Sequence, residues 1–232
     1  MSRGTLYGLG VGPGDPELLT LKAVRLLREA DVVAVPDKGA GKKTALHIVR
    51  DYIADKPVLP CAAPMTRDQQ ALDAAHDAAA EQICALLDQG KTVVFVTLGD
   101  PAIYSTYMYI HRRVADRGYD AQLVPGVTSI CAVAARLGDS LCEQSERLLI
   151  VPASHGDMSD CLDLDANLVF MKAGKELSDL RQQLAEHGLL NRASLVANCG
   201  MENETVWRRF EDMPDTTGYF SVVVVKKGSP ET

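Results

Sequence analysis

The stretch from Thr5 to Pro36, TLYGLGVGPGDPELLTLKAVRLLREADVVAVP, decides the fold. Thr5 to Gly10 reads as a short strand that runs into a glycine-rich turn. The segment after it carries Leu19, Ala23, Val24, Leu26, Leu27 and Ala30 on one broad face of a helix, with Lys22, Arg25, Arg28 and Glu29 on the other. Asp15 is a good N-cap, and Pro16 stands where a first helical residue needs no backbone donor, so the helix is predicted to start there. Asp31 to Pro36, DVVAVP, follows at once and is too uniformly apolar for a half-exposed strand. Such a run suits a strand buried on both faces of a parallel sheet. The stretch is therefore a strand-helix-strand unit.

The alternation continues outward. Helices are predicted near Thr44 to Tyr52, Asp68 to Leu87 and Tyr104 to Arg117, and strands at Pro57 to Leu59, Lys91 to Gly99 and Ala121 to Val124. Beyond Pro125-Gly126 the pattern loosens to a helix near Thr128 to Leu137, strands at Arg147 to Val151 and Leu168 to Met171, and a helix from Lys175 to His187. Three strand candidates then follow almost without helix, at Ser194 to Asn198, Thr205 to Phe210 and Tyr219 to Lys226. Successive strands with short connections pair antiparallel. The expectation is an α/β protein of two α/β domains, residues 1–125 with a mostly parallel sheet and residues 126–232 with a mixed sheet.

Composition excludes several classes of function. The 232 residues are 47% hydrophobic and 24% charged, a globular balance, and 24 Lys+Arg against 31 Asp+Glu give a net charge of -7. Excess acid without a basic stripe argues against a nucleic-acid partner. Apolar runs such as Val93 to Val96 and Val222 to Val225 are far shorter than the roughly 20 residues of a membrane helix, so no membrane association is expected. MSRGTLYGLG lacks the features of a secretory signal, which points to the cytoplasm. The six cysteines contain no CxxC and the five histidines no HxxxH. Reduced, mostly buried thiols and no bound metal are expected.

Four stretches can carry chemistry. Gly8 to Asp15, GLGVGPGD, has the strand-turn-helix context of a dinucleotide fingerprint, but Pro13 or Asp15 falls where the third glycine belongs. Asp15 also sets a negative charge where a phosphate would lie. A non-phosphate ligand against the loop and a purely structural turn both remain. Gly39 to Thr44, GAGKKT, fails as a phosphate loop because Pro36 and Lys43 occupy the required positions; it reads as a basic loop at the carboxyl end of a strand. Thr97 to Ser105, TLGDPAIYS, is a second glycine-containing strand-to-helix turn, expected to face the same crevice as the first. Val124 to Ala135, VPGVTSICAVAA, reads as a Pro-Gly turn before a helix of small residues, either a linker or a ligand contact.

In order along the chain, LYGLGVGPGDPELLTLKAVRLLREADVVAVP, TLGDPAIYSTYMYI, VPGVTSICAVAA and FMKAG (Phe170 to Gly174) resemble the tetrapyrrole methyltransferases of cobalamin and sirohaem biosynthesis. The VP ending of the second strand, Pro64-Met65-Thr66 and LGDPAIYSTYMYI are most similar to the branch that methylates carbon 20 of precorrin-2 or cobalt-precorrin-2. The resemblance implies a homodimer of two-domain subunits that binds S-adenosyl-L-methionine in the cleft between domains. Position by position, it places cofactor contacts at Pro13, at Leu98, Gly99, Asp100 and Ile103, at Thr128 and Ser129, and at Met171. A further contact falls near Ala197 and Asn198. VPDKG (Val35 to Gly39) stands where sirohaem-branch enzymes carry Tyr-Asp-Arg-Leu, so no proton acceptor is carried over to Asp37.

Methyl transfer from a sulfonium needs neither metal nor covalent nucleophile; the protein orients two partners and excludes water, worth on the order of 7 kcal/mol or more. Tyr104 is the candidate catalytic residue, bordering the methyl path. The substrate implied by the resemblance is ringed by carboxylates, and Arg67, Lys38, Lys42 and Lys43 are the candidate donors to it. The alternatives are methylation at another tetrapyrrole position or of a diphthine precursor, and, from another class, a nucleotide-dependent oxidoreductase.

Overall fold

A computed structural model describes residues 3–37, 44–154 and 158–227. The chain divides into two compact units, Met1–Thr128 and Ser129–Thr232. The first carries a five-stranded parallel sheet of β1 (Thr5–Gly10), β2 (Val32–Asp37), β3 (Val58–Ala62), β4 (Val93–Thr97) and β5 (Asp120–Val124), in the order β3-β2-β4-β1-β5. Its helices are α1 (Leu21–Glu29), α2 (Thr44–Ile53), α3 (Gln69–Asp88) and α4 (Tyr107–Asp116).

The two-residue period of the strands divides the core. Leu9, Val33, Val35, Val94 and Val96 point to the α1 and α2 side, where Leu26, Leu27, Ile48 and Val49 meet them. Leu6, Val32, Ala34, Val93 and Phe95 point the other way, to Ile83 and Leu87 of α3 and Tyr107 and Ile110 of α4. Val32 to Val35 are thus buried on both faces, as their composition requires. Gly8 is where the sheet admits α4: a Cβ there would lie 1.8 Å from the ring of Tyr107, which is wholly buried.

Two helix starts lie later than the sequence suggests. Asp15 does cap a turn, accepting the Glu17 N–H at 2.8 Å, but only of a short 3-10 helix, Pro16–Leu18. The long helix begins at Leu21, because Thr20 is a second cap whose hydroxyl accepts the Ala23 N–H at 3.1 Å. Likewise α4 starts at Tyr107 rather than Tyr104. Tyr104 has a left-handed backbone (φ 48°), and the Ser105 hydroxyl accepts the Tyr107 N–H.

The second unit holds a mixed sheet of β6 (Leu148–Pro152), β7 (Asn167–Met171), β8 (Ala193–Ala197), β9 (Thr205–Trp207) and β10 (Ser221–Val225), in the order β6-β7-β10-β8-β9. β6 and β7 run parallel; β10 is antiparallel to β7 and to β8, and β9 to β8. The last two strands do not pair with each other. SVVVV of β10 is buried throughout and takes the centre, whereas the short, partly exposed TVW of β9 takes an edge. The short α6 (Ser159–Leu162) and α7 (Leu177–Glu186) pack their apolar residues on Leu168, Phe170, Leu195, Val223 and Val225, and α5 (Ser129–Leu137) contacts β8 and β10.

The division falls after Thr128, where the sequence reading set a boundary at 125. The intervening Gly126 is tied to the first unit, since its N–H donates to Asp100 at 3.0 Å. No helix among the described residues is long and apolar enough to cross a membrane.

Candidate cofactor and substrate site

At the carboxyl ends of β4, β1 and β5, three glycines meet. A Cβ on Gly10 would lie 2.6 Å from the Gly126 nitrogen and 2.7 Å from the Gly99 carbonyl oxygen; one on Gly126 would lie 2.4 Å from that same oxygen. No side chain fits at either position, so the three strand ends close into a backbone platform. The first two turns lie side by side. They are stitched together: the Gly99 N–H donates to Gly12 O at 2.7 Å and the Gly12 N–H to Gly99 O at 3.3 Å.

Asp100 clamps this platform. One carboxylate oxygen accepts the Ala102 N–H at 2.8 Å and the other the Gly126 N–H at 3.0 Å, which joins the turn after β4 to the segment after β5. Below it, Thr97 Oγ1 and Ser105 Oγ lie 2.9 Å apart and close the base of the 97–105 loop. Pro13 adjoins the bridge through Gly12, while Leu98, Gly99, Asp100 and Ile103 line the second turn. Tyr104 is half-exposed, at 48%, with an aromatic residue's uncommon left-handed backbone. Thr128 ends the first unit and Ser129 opens α5.

In the second unit, Met171 and Ala197 end β7 and β8 on either side of the start of β10, paired with Val222 and Ser221. The residues that follow them, Lys172 (φ 60°) and Asn198 (φ 53°), are both left-handed. Gly174 is another enforced glycine: a Cβ there would sit 2.0 Å from the Gly218 carbonyl oxygen. Met171, Ala197 and Asn198 are thus gathered at one end of this sheet. Arg67 is exposed in the segment between β3 and α3. Lys38, Lys42 and Lys43 lie outside the described residues.

The donor set discriminates between ligand chemistries. Residues 10–15, 97–105 and 124–129 contain Asp15 and Asp100 and no lysine or arginine. The first helical turn after β1 already has its Glu17 N–H occupied by Asp15. This is a poor phosphate site and a good environment for a sulfonium, which favours carbonyl dipoles and carboxylates. Among the described residues no group of three or more His, Cys, Asp or Glu is assembled that would hold a metal ion.

Residues 5–213 match the model of the Tetrapyrrole (Corrin/Porphyrin) Methylases. The chain belongs to this family. It is 32% identical over 230 residues to a cobalt-precorrin-2 C(20)-methyltransferase of Salmonella typhimurium, covering 97% of each chain. It is 33% identical over 234 residues to a precorrin-2 C(20)-methyltransferase of Sinorhizobium sp, covering 96% of this chain and 95% of the other. The fold is shared with a uroporphyrin-III C-methyltransferase of Thermus thermophilus solved with S-adenosylhomocysteine, at a TM-score of 0.71 and 22% identity, over 96% of this chain and 98% of that one.

Within this tetrapyrrole methylase, three residues of the platform and its loops have roles that the local sequence does not show. Gly10 and Gly126 stood within motifs, but only their mutual approach, across more than a hundred residues, shows why each is glycine. Ser105 was quoted as the end of a motif; its hydroxyl bond to Thr97 has no local signal.

Proposed function

We propose that this tetrapyrrole methylase transfers a methyl group from S-adenosyl-L-methionine to carbon 20 of a precorrin-2 macrocycle, with or without cobalt. The observation that carries the reading is the cation-free platform of Gly10, Gly99 and Gly126 clamped by Asp100, together with full-length similarity to relatives named for that reaction. When bound, the cofactor supplies an electrophilic methyl on a positively charged sulfur. Pro13, Leu98, Gly99, Asp100, Ile103 and Thr128 are the cofactor contacts of the first unit, and Ser129, Met171, Ala197 and Asn198 those of the second.

The chain's own work is orientation. The bridged turns present a fixed backbone surface, so little ordering is left to be done when the cofactor binds. Carbonyls of the Gly99 loop and the Asp100 carboxylate make the surface electronegative toward a sulfonium. Tyr104 borders the path of the methyl group. Arg67, with Lys38, Lys42 and Lys43, receives the carboxylates of the macrocycle as a local basic rim on an acidic protein.

The same reading takes the protein as a cytoplasmic homodimer without a resident metal. Among the described residues no disulfide joins its cysteines, which supports a reducing compartment. Light scattering on the purified chain tests the dimer. Calorimetry with S-adenosylhomocysteine and with NADH tests the cofactor: binding of the first and not of the second is expected, and the reverse overturns the reading.

A further inference from the structure

We infer that Glu204 is a positioning residue for the cofactor, holding the turn from Asn198 to Glu204 on α5 and so fixing the backbone at Asn198. The inference rests on the S-adenosylmethionine reading above, in which Ala197 and Asn198 touch the cofactor. Asn198 has a left-handed backbone, a conformation open to asparagine more than to other side-chain-bearing residues but one that its surroundings must still select.

The turn supplies that determination. The Asn198 N–H donates to Phe220 O at 2.7 Å, its own carbonyl accepts the Met201 N–H at 2.9 Å, and Met201 O accepts the Glu204 N–H at 3.0 Å. Asn198 Nδ2 reaches Asn203 O at 3.4 Å. The Glu204 side chain then folds back across the turn. One carboxylate oxygen accepts the Gly200 N–H at 2.8 Å, and the other accepts from Nε of Arg136 in the last turn of α5. The Cys199 thiol lies beside this carboxylate.

Burial opposes the charge on Glu204, but the Gly200 N–H and the Arg136 guanidinium outweigh it and hold the carboxyl below its ordinary range. Burial, with the Glu204 charge beside it, pushes the Cys199 thiol up to about 11. The carboxylate is therefore an ionised acceptor on which the turn and the helix converge. α5 has a separate anchor, since Arg208 donates to the carbonyl of its last residue, Leu137. Loss of Glu204 consequently frees the turn rather than the helix.

The test uses the full chain and titration calorimetry with S-adenosylhomocysteine. Glu204→Ala is expected to raise Kd about tenfold, the size of one lost charge-assisted hydrogen bond. Glu204→Gln, whose amide oxygen still accepts from Gly200, is expected to raise it less, and Arg136→Met likewise. In turnover the KM for S-adenosylmethionine should rise more than kcat falls. Glu146→Gln is the control: it breaks a comparable network with Asn167 and Lys226 at the opposite end of the strands, and should lower thermal stability without changing Kd. Unchanged Kd in the folded Glu204 and Arg136 variants, or equal weakening by Glu146→Gln, overturns the inference while the cofactor reading stands. Failure of the unaltered protein to bind S-adenosylhomocysteine overturns that reading and the inference with it.

Discussion

The carboxylate of Asp100 spans two loops that the sequence separates by 26 residues: Oδ2 accepts the Gly126 N–H at 3.0 Å, and Oδ1 the Ala102 N–H at 2.8 Å. A residue in a motif otherwise read for ligand contact thus also fixes the geometry of the surface on which the ligand is proposed to lie. Asp100→Ala removes both charge-assisted acceptors, and Asp100→Asn keeps an acceptor for only one of the two donors. Urea unfolding should show a loss of about 2 kcal/mol for the alanine variant and less for the asparagine. Calorimetry should show weaker S-adenosylhomocysteine binding in the same order.

Gly126→Ala is predicted to be among the most damaging single changes in the first unit, because its Cβ would meet the Gly99 carbonyl at 2.4 Å with backbone on every side. Gly118→Ala provides the comparison. Gly118 has φ 79° and nothing within 4 Å of an added Cβ, so it should cost only the left-handed penalty of roughly 1–2 kcal/mol. Denaturation midpoints of the two variants should differ, with Gly126→Ala the lower; equal midpoints would mean that the platform is loosely packed.

The sequence makes the parallel half legible because its code is local. VVAVP is apolar at successive positions, and a strand buried on both faces has no other reading. The helix start is less legible because Asp15 and Thr20 are both sound caps, and only packing chooses which opens the long helix. The central place of β10 is illegible locally: SVVVV declares burial but not its partners, and β7 and β8 are joined to it by segments of very different length. For the site, the glycine turns and their order are plain, whereas the Gly10–Gly126 approach and the Glu204–Arg136 pair arise from contacts distant in sequence.

His76 gives the fold a dependence on acid. It is 4% exposed, its ring stacks on Tyr109 at 4.9 Å, and its Nδ1 is buried without a partner. Burial, then the nearby Arg113 guanidinium, lowers its pKa, against the opposing pull of Asp73 and Asp77. The unfolded chain therefore takes up this proton at higher pH than the folded one. The contribution is fully present above about 6.5 and is lost as pH falls below it toward the folded value. His76→Phe keeps the stack and removes the titrating group. Its stability, measured by urea unfolding between pH 7 and pH 5, should fall less steeply than that of the unaltered protein; parallel slopes would sink the assignment.

The cysteines should sort by exposure. Cys131 and Cys142 are exposed, whereas Cys61, Cys84, Cys161 and Cys199 are buried, with burial pushing the Cys61 thiol up to about 12. A thiol reacts as its thiolate, which attacks the alkylating carbon and displaces the leaving group, so brief alkylation of the native protein at pH 8 should label Cys131 and Cys142 and spare the other four. Peptide mass mapping reads the pattern directly. Early labelling of Cys61 would contradict its burial on β3 against α3.

Methyl transfer to one carbon is tested by following that methyl group. The protein is incubated with S-adenosylmethionine carrying a carbon-13 methyl and with precorrin-2, in parallel with cobalt-precorrin-2, and the product is examined by mass spectrometry and carbon-13 NMR. One added methyl group is expected in at least one incubation, with the label on carbon 20. Label on a different carbon, or no transfer to either macrocycle by protein that binds S-adenosylhomocysteine, would contradict it.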